Sequence, residues 1–145
     1  MRAAVRGERA LARSGLAERC ERFNEVRNMT DSLAELQDAI DAFVDERDWA
    51  QFHTPKNLAM GVAIEAAELM EHFLWTTGLD SSAPDAEKRV EVANEIGDVL
   101  IYLLRLGRVL DIDIVAAATD KLVLNREKYP VEKAKGRAVK YVDLD

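Results

Sequence analysis

Four carboxylates stand out in this sequence because of the residues around them. In AMGVAIEAAELMEHFLW, residues 59–75, Glu65 and Glu68 interrupt an otherwise apolar stretch, and in VEVANEIGDVLIYLL, residues 90–104, Glu95 and Asp98 do the same. Residues three apart on a helix lie on one face with their Cβ atoms about 5–6 Å apart, so each pair sets two like charges side by side. That spacing destabilises an isolated helix by ~0.2–0.5 kcal/mol, and burying unpaired charges costs several times more. Two such helices packed together bring four carboxylates to one place. The compensation such a cluster calls for is a hard divalent cation with oxygen ligands and room for water and substrate phosphates. Each pair taken alone also reads as the solvated stripe of an amphipathic helix; two pairs, each flanked by apolar residues, favour the cation site. Glu71 and Glu91 read either as auxiliary ligands or as surface charges. A di-iron carboxylate bundle would need Glu-x-x-His on two helices. The two histidines, His53 and His72, do not supply it: Glu68 and His72 are four apart.

Both tryptophans flank the first of these stretches, Trp49 with Phe52 and His53 before it and Trp75 after it. Aromatic faces stack on nucleobases, worth ~1–3 kcal/mol per base. Taken singly, each of these aromatic residues reads as core before platform, and His53 as a neutral structural imidazole unless a base or phosphate reaches it. In KLVLNREKYP, residues 121–130, Lys121, Asn125 and Lys128 share a helical face, with Tyr129 at the end. Such a basic helix end reads as a solvated complement to the helix dipole or, beside four carboxylates, as a phosphate clamp.

The elements that must position these groups are helices. Ser32 with Glu35 forms a capping-box signature, and Leu33, Leu36, Ile40, Phe43 and Val44 follow at helical spacing, so a first helix is predicted from Ser32 to Arg47. DWAQFHT breaks the pattern. Thr54 and Pro55 start a second helix that is predicted to reach Thr76, and the loop TTGLDSSAPD separates it from a third over Pro84 to Leu110. Asp111 or Asp113 can cap a fourth, which ends at Tyr129 before Pro130. Four helices with short connections predict an all-α, antiparallel four-helix bundle. The second and third have more apolar circumference than one small bundle covers, so a homo-oligomer is expected.

Composition sets the outer limits. The 145 residues carry 27 acidic and 20 basic side chains, a formal charge of -7, with 48% apolar and 6% aromatic residues. An acidic chain lacks the basic footprint of a nucleic-acid binder. No apolar run approaches the ~18 residues of a membrane span. The one cysteine, Cys20, cannot form an internal disulfide, which gives no sign of an oxidising compartment, and a cytoplasmic location is expected. Residues 1–28 hold seven arginines against four glutamates, +3, leaving -10 for the rest. They are expected to form a mobile or weakly helical extension, with Met29 as an alternative start. Residues 29–130 are then the helical domain, and 131–145 a polar tail.

ERDWAQFHTPKNLAMGVAIEAAELMEHFLW, then EIGDVLIYLL, then KLVLNREKYP together resemble the MazG-like all-α nucleoside triphosphate pyrophosphohydrolases, and within them the dCTP pyrophosphatase branch. The resemblance covers roughly residues 33–130; the first 28 have no counterpart, and the tail matches loosely through GRAVKY. It implies Mg²⁺-dependent hydrolysis of a nucleoside triphosphate between the α and β phosphorus atoms, giving monophosphate and pyrophosphate. By motif position, Glu65, Glu68, Glu95 and Asp98 are then the catalytic and metal-binding set. Trp49, His53 and Trp75 surround the base, Lys121, Asn125, Lys128 and Tyr129 the phosphates and sugar, and Tyr102 lines the pocket. Homodimers or homotetramers are implied. Two further readings stand beside this one: the same superfamily acting on dUTP, a modified nucleotide or phosphoribosyl-ATP, and a non-catalytic helical module that binds a protein partner.

Overall fold

The computed structural model describes residues 32–144, and the expectations for residues 1–28, with Cys20, and for Met29 lie outside them. The described residues are helical, without a strand. They form α1 (Leu33–Asp45), α2 (Pro55–Glu71), α3 (Ala86–Val109), α4 (Ile114–Lys128) and a short α5 (Val131–Ala134), with 3₁₀ turns at Ala50–Phe52, Asp80–Ser82 and Tyr141–Asp143. The predicted all-α class is the one observed. By its contacts the chain divides into two compact units, Met1–Asp48 and Trp49–Asp145.

The first unit contributes α1. Its capping box forms as read: the Glu35 amide donates to Ser32 Oγ at 3.3 Å and the Ser32 amide to Glu35 Oε2 at 3.0 Å. Ile40 and Val44 are its buried side chains. At its far end Arg47 donates to the Phe43 carbonyl at 2.9 Å and to Glu46 Oε2 at 3.1 Å, with its guanidinium 3.7 Å over the Phe43 ring. Asp48 then takes left-handed backbone, φ 52°.

In the second unit α2, α3 and α4 each start on a side-chain cap. Thr54 Oγ1 accepts from the Asn57 amide at 3.3 Å with Pro55 in the first turn, Asp85 Oδ1 from the Lys88 amide at 2.8 Å, and Asp113 Oδ1 from the Ala116 amide at 2.8 Å. Of the two candidate caps for α4, Asp113 is the one used. Asp111 instead takes a left-handed conformation, φ 55°, at the end of α3. There the Ile112 amide reaches the Gly107 carbonyl at 2.8 Å and the Asp111 amide the Arg108 carbonyl at 3.3 Å, a Schellman closure of the helix. Replacing Asp85 by Ala is expected to cost about 1 kcal/mol of stability, read from urea or thermal unfolding, with Asn restoring it.

One helix end departs clearly from expectation. The second helix stops at Glu71 rather than Thr76, because the chain tightens into turns in which the Phe73 amide meets the Met70 carbonyl and the Leu74 amide that of Glu71. Residues 131–144 include α5 and a 3₁₀ turn.

Among the described helices, α2 and α3 make the extensive packing contact. They run antiparallel, since Gly61 lies against Tyr102 while His72, further along α2, lies against Glu91. Leu58 and Leu104 are this unit's most buried side chains, 1% and 2% exposed. α4 buries none of its residues within the chain, and its Val115, Leu122, Val123 and Leu124 stand about half exposed.

Candidate metal centre

The seam between α2 and α3 decides the position of the acidic residues. Oxygen atoms of Glu65 from α2 and of Glu95 and Asp98 from α3 lie within 4.8 Å of one another. Glu65 and Glu95 are half-buried and Asp98 is exposed. Glu68, one turn along α2, is exposed and stands outside this three-carboxylate group. The like charges are felt most at Glu65. Burial first, and then the charges of Glu68, Asp98 and Glu95, hold its carboxyl above the ordinary carboxylate value. An all-oxygen, anionic donor set under mutual repulsion fits a hard divalent cation, whose charge would relieve that repulsion.

Glu95 is also approached from behind. His72, the residue that ends α2, places Nε2 3.8 Å from Glu95 Oε1, and its Nδ1 lies 2.7 Å from Lys88 Nζ and 3.5 Å from Glu91 Oε2. Tyr102, one turn beyond Asp98, lays its ring on the backbone of Gly61, one turn before Glu65: a Cβ built at Gly61 would fall 2.5 Å from the ring. The residue expected to line the pocket therefore also sets the distance between the two acidic helices.

The aromatic residues read as base platforms are exposed. Trp75 is 92% exposed and Trp49 44%, which removes the core reading for Trp75. His53 is half-buried, and its Nδ1 has no hydrogen-bond partner. Burial first, then the positive charge of Arg105 on α3, lowers its pKa. The α4 group is not joined to the carboxylates by any hydrogen bond or ion pair among the described residues. Lys121 and Asn125 face solvent. Lys128 and Tyr129 are met instead by the C-terminal segment, where Lys128 Nζ sits 5.0 Å over the Tyr141 ring and the Tyr129 and Tyr141 rings meet edge to face at 6.1 Å.

The model of the MazG-like family matches residues 61–144, which contain all three clustered carboxylates, α4 and the C-terminal turn. The chain belongs to the MazG-like family. The dCTP pyrophosphatase 1 of Mus musculus is 40% identical over 105 residues and that of Homo sapiens 38% over 106; each match covers 70% of this chain and 61% of the relative's length. The chain thus spans about three-fifths of those relatives. A pyrophosphatase from Archaeoglobus fulgidus DSM 4304, solved as a crystal structure, superimposes with a TM-score of 0.61 at 44% identity, covering 67% of this chain and 91% of that one. The all-α fold is therefore of the MazG-like pyrophosphatase type.

Three features of this MazG-like chain were not reached from its sequence. Lys88 carries no signal in the sequence, and Glu91 reads there either as an auxiliary ligand or as a surface charge, yet both meet His72 Nδ1. Arg105, unremarked in the sequence, brings its positive charge to His53. Tyr141, within the loosely matching GRAVKY segment, packs on two candidate phosphate-site residues.

Proposed function

We propose that this MazG-like protein hydrolyses a nucleoside triphosphate, dCTP or a related deoxynucleotide, between the α and β phosphorus atoms. The observation that carries the reading is the meeting of Glu65, Glu95 and Asp98 across the α2–α3 seam, within a chain whose relatives are named dCTP pyrophosphatase 1. Those three residues, with Glu68 on the next turn, would hold Mg²⁺, which when bound neutralises phosphate charge and makes the phosphorus a better electrophile. Water attacks the α phosphorus, the bond from that phosphorus to the bridging oxygen breaks, and pyrophosphate leaves with the electron pair. One carboxylate of this set orients the water and accepts its proton. Trp49, His53 and Trp75 take the base, Tyr102 lines the pocket, and Lys121, Asn125, Lys128 and Tyr129 take the phosphates and sugar. No covalent nucleophile is required.

The same reading accounts for α4. Its half-exposed apolar residues, together with Ile96 and Ile101 on α3 and Met60 and Ile64 on α2, are more apolar surface than a lone chain should leave in water. A second copy covering it makes the protein a homodimer or homotetramer, and sedimentation at micromolar concentration tests this. No described helix is long and apolar enough to cross a membrane. We place the protein in the cytoplasm with its nucleotide substrates.

The deciding assay is pyrophosphate release from a panel of deoxy- and ribonucleoside triphosphates with and without Mg²⁺. dCTP is expected to lead, and chelation with EDTA to stop the reaction. Turnover led by dUTP or phosphoribosyl-ATP would move the substrate within the superfamily. No hydrolysis of any nucleotide would leave the protein-binding module as the reading.

A further inference from the structure

We infer that His72, backed by Lys88, orients the Glu95 carboxylate and so sets the metal affinity of the centre. This rests on the metal-dependent reading above. The lysine ammonium carries only donors, so at 2.7 Å from Nδ1 it donates and Nδ1 accepts. That assigns the ring hydrogen to Nε2, the nitrogen that faces Glu95 Oε1 across 3.8 Å. The gap is wider than a hydrogen bond but within electrostatic reach. The imidazole and the Glu95 side chain are 18% and 19% exposed, so water screens little of the interaction.

Lys88 is itself held. Its Nζ donates to Glu91 Oε2 at 3.3 Å, and its backbone amide is the one capped by Asp85. The line Glu91, Lys88, His72, Glu95 therefore starts from the capped first turns of α3, crosses to the end of α2 and returns to α3 at the metal centre. Among the described hydrogen bonds and ion pairs, Glu95 is the one member of the three-carboxylate group with a protein partner; Glu65 and Asp98 have each other and Glu95. A carboxylate with one oxygen drawn toward an N–H has fewer orientations to lose when a cation binds. Histidines that ligate metals are oriented by a carboxylate in the same way, and loss of such a partner costs about 10–100-fold in affinity. Here the two residue types exchange places.

The test is Mn²⁺ binding to the nucleotide-free full chain, followed by electron paramagnetic resonance, with dCTP turnover measured in parallel. His72→Leu is expected to weaken Mn²⁺ binding by at least about tenfold. Lys88→Met, a partly exposed position with little bearing on folding, is expected to weaken it in the same direction. His72→Gln, which keeps an N–H donor near the Nε2 position, is expected to retain most of the wild-type affinity. A packing role alone would shift the melting temperature and leave Mn²⁺ affinity unchanged. Wild-type affinity in folded His72→Leu and Lys88→Met overturns the inference, as does His72→Gln binding as poorly as His72→Leu. If the wild type binds Mn²⁺ and hydrolyses dCTP while the variants are indifferent, this inference alone fails; if the wild type binds no Mn²⁺, the metal-dependent reading fails with it.

Discussion

Glu65→Gln and Asp98→Asn are each expected to lower kcat for pyrophosphate release from dCTP by on the order of 10²- to 10³-fold, the scale on which losing one group that stabilises transition-state charge is measured. Both changes keep the size of the side chain, so circular dichroism should show a retained fold. Undiminished turnover in both variants would remove the acidic cluster from the reaction. Stability separates the two states of the centre. The Glu65 carboxyl is held above its ordinary 4.5 by burial and by the charges of Glu68, Asp98 and Glu95, so the folded chain keeps this proton more tightly than the unfolded one. The stability contributed by that proton is fully present below 4.5 and is lost as pH rises through the raised folded value. In metal-free protein, wild type should therefore lose melting temperature relative to Glu65→Gln over this window. Mg²⁺ should reverse the order. Ligand at a hundred times Kd adds about 2.7 kcal/mol to the wild type, and the variant, short of one ligand, gains less.

The second large effect concerns two glycines on facing helices. A Cβ at Gly61 would lie 2.5, 2.7 and 2.8 Å from three ring atoms of Tyr102, while one at Gly97 would meet nothing within 4 Å. Alanine at either position gains about 1 kcal/mol of helix propensity. Only Gly61→Ala must also push α2 and α3 apart, at ~1–3 kcal/mol for overpacking. The difference between the two variants, measured by urea unfolding, isolates the clash because propensity cancels. Activity should follow the same division. Glu65 is one turn from Gly61, so a wider seam moves it away from Glu95 and Asp98, and a misplacement of about 1 Å costs on the order of 10²-fold in rate. Tyr102→Leu in the Gly61→Ala background should recover stability. Equal stability in the two alanine variants would show that the seam is not set by this contact.

Much of the fold was legible because helix ends are written in local chemistry. Ser32 with Glu35, Thr54 with Pro55, and Asp113 each satisfy orphan amides within their own first turn, so no distant residue is needed to read them; Asp85 caps α3 in the same way, one residue beyond the start expected at Pro84. The choice between Asp111 and Asp113 was not legible. It depends on how α3 closes, and the closure puts Asp111 in left-handed backbone. The end of α2 was misplaced for a similar reason: periodicity continues through Phe73 and Leu74, while the hydrogen bonds change pattern at Glu71.

The candidate centre divides along the same line. Two acidic pairs at helical spacing inside apolar stretches were a property of the sequence, because the period of a helix is fixed by its backbone and spacing alone assigns a face. Which of the four carboxylates converge was decided by the register of two helices sliding past each other. Tyr102 against Gly61 sets that register, and it brings in Glu65, Glu95 and Asp98 while leaving Glu68 a turn away. The arm from Lys88 through His72 to Glu95 joins residues 16 and 23 positions apart. No local rule encodes such a contact. The sequence determined which chemistry this protein holds; the packing of α2 on α3 decided which of its groups meet, because interactions between separate helices depend on three-dimensional register and not on distance along the chain.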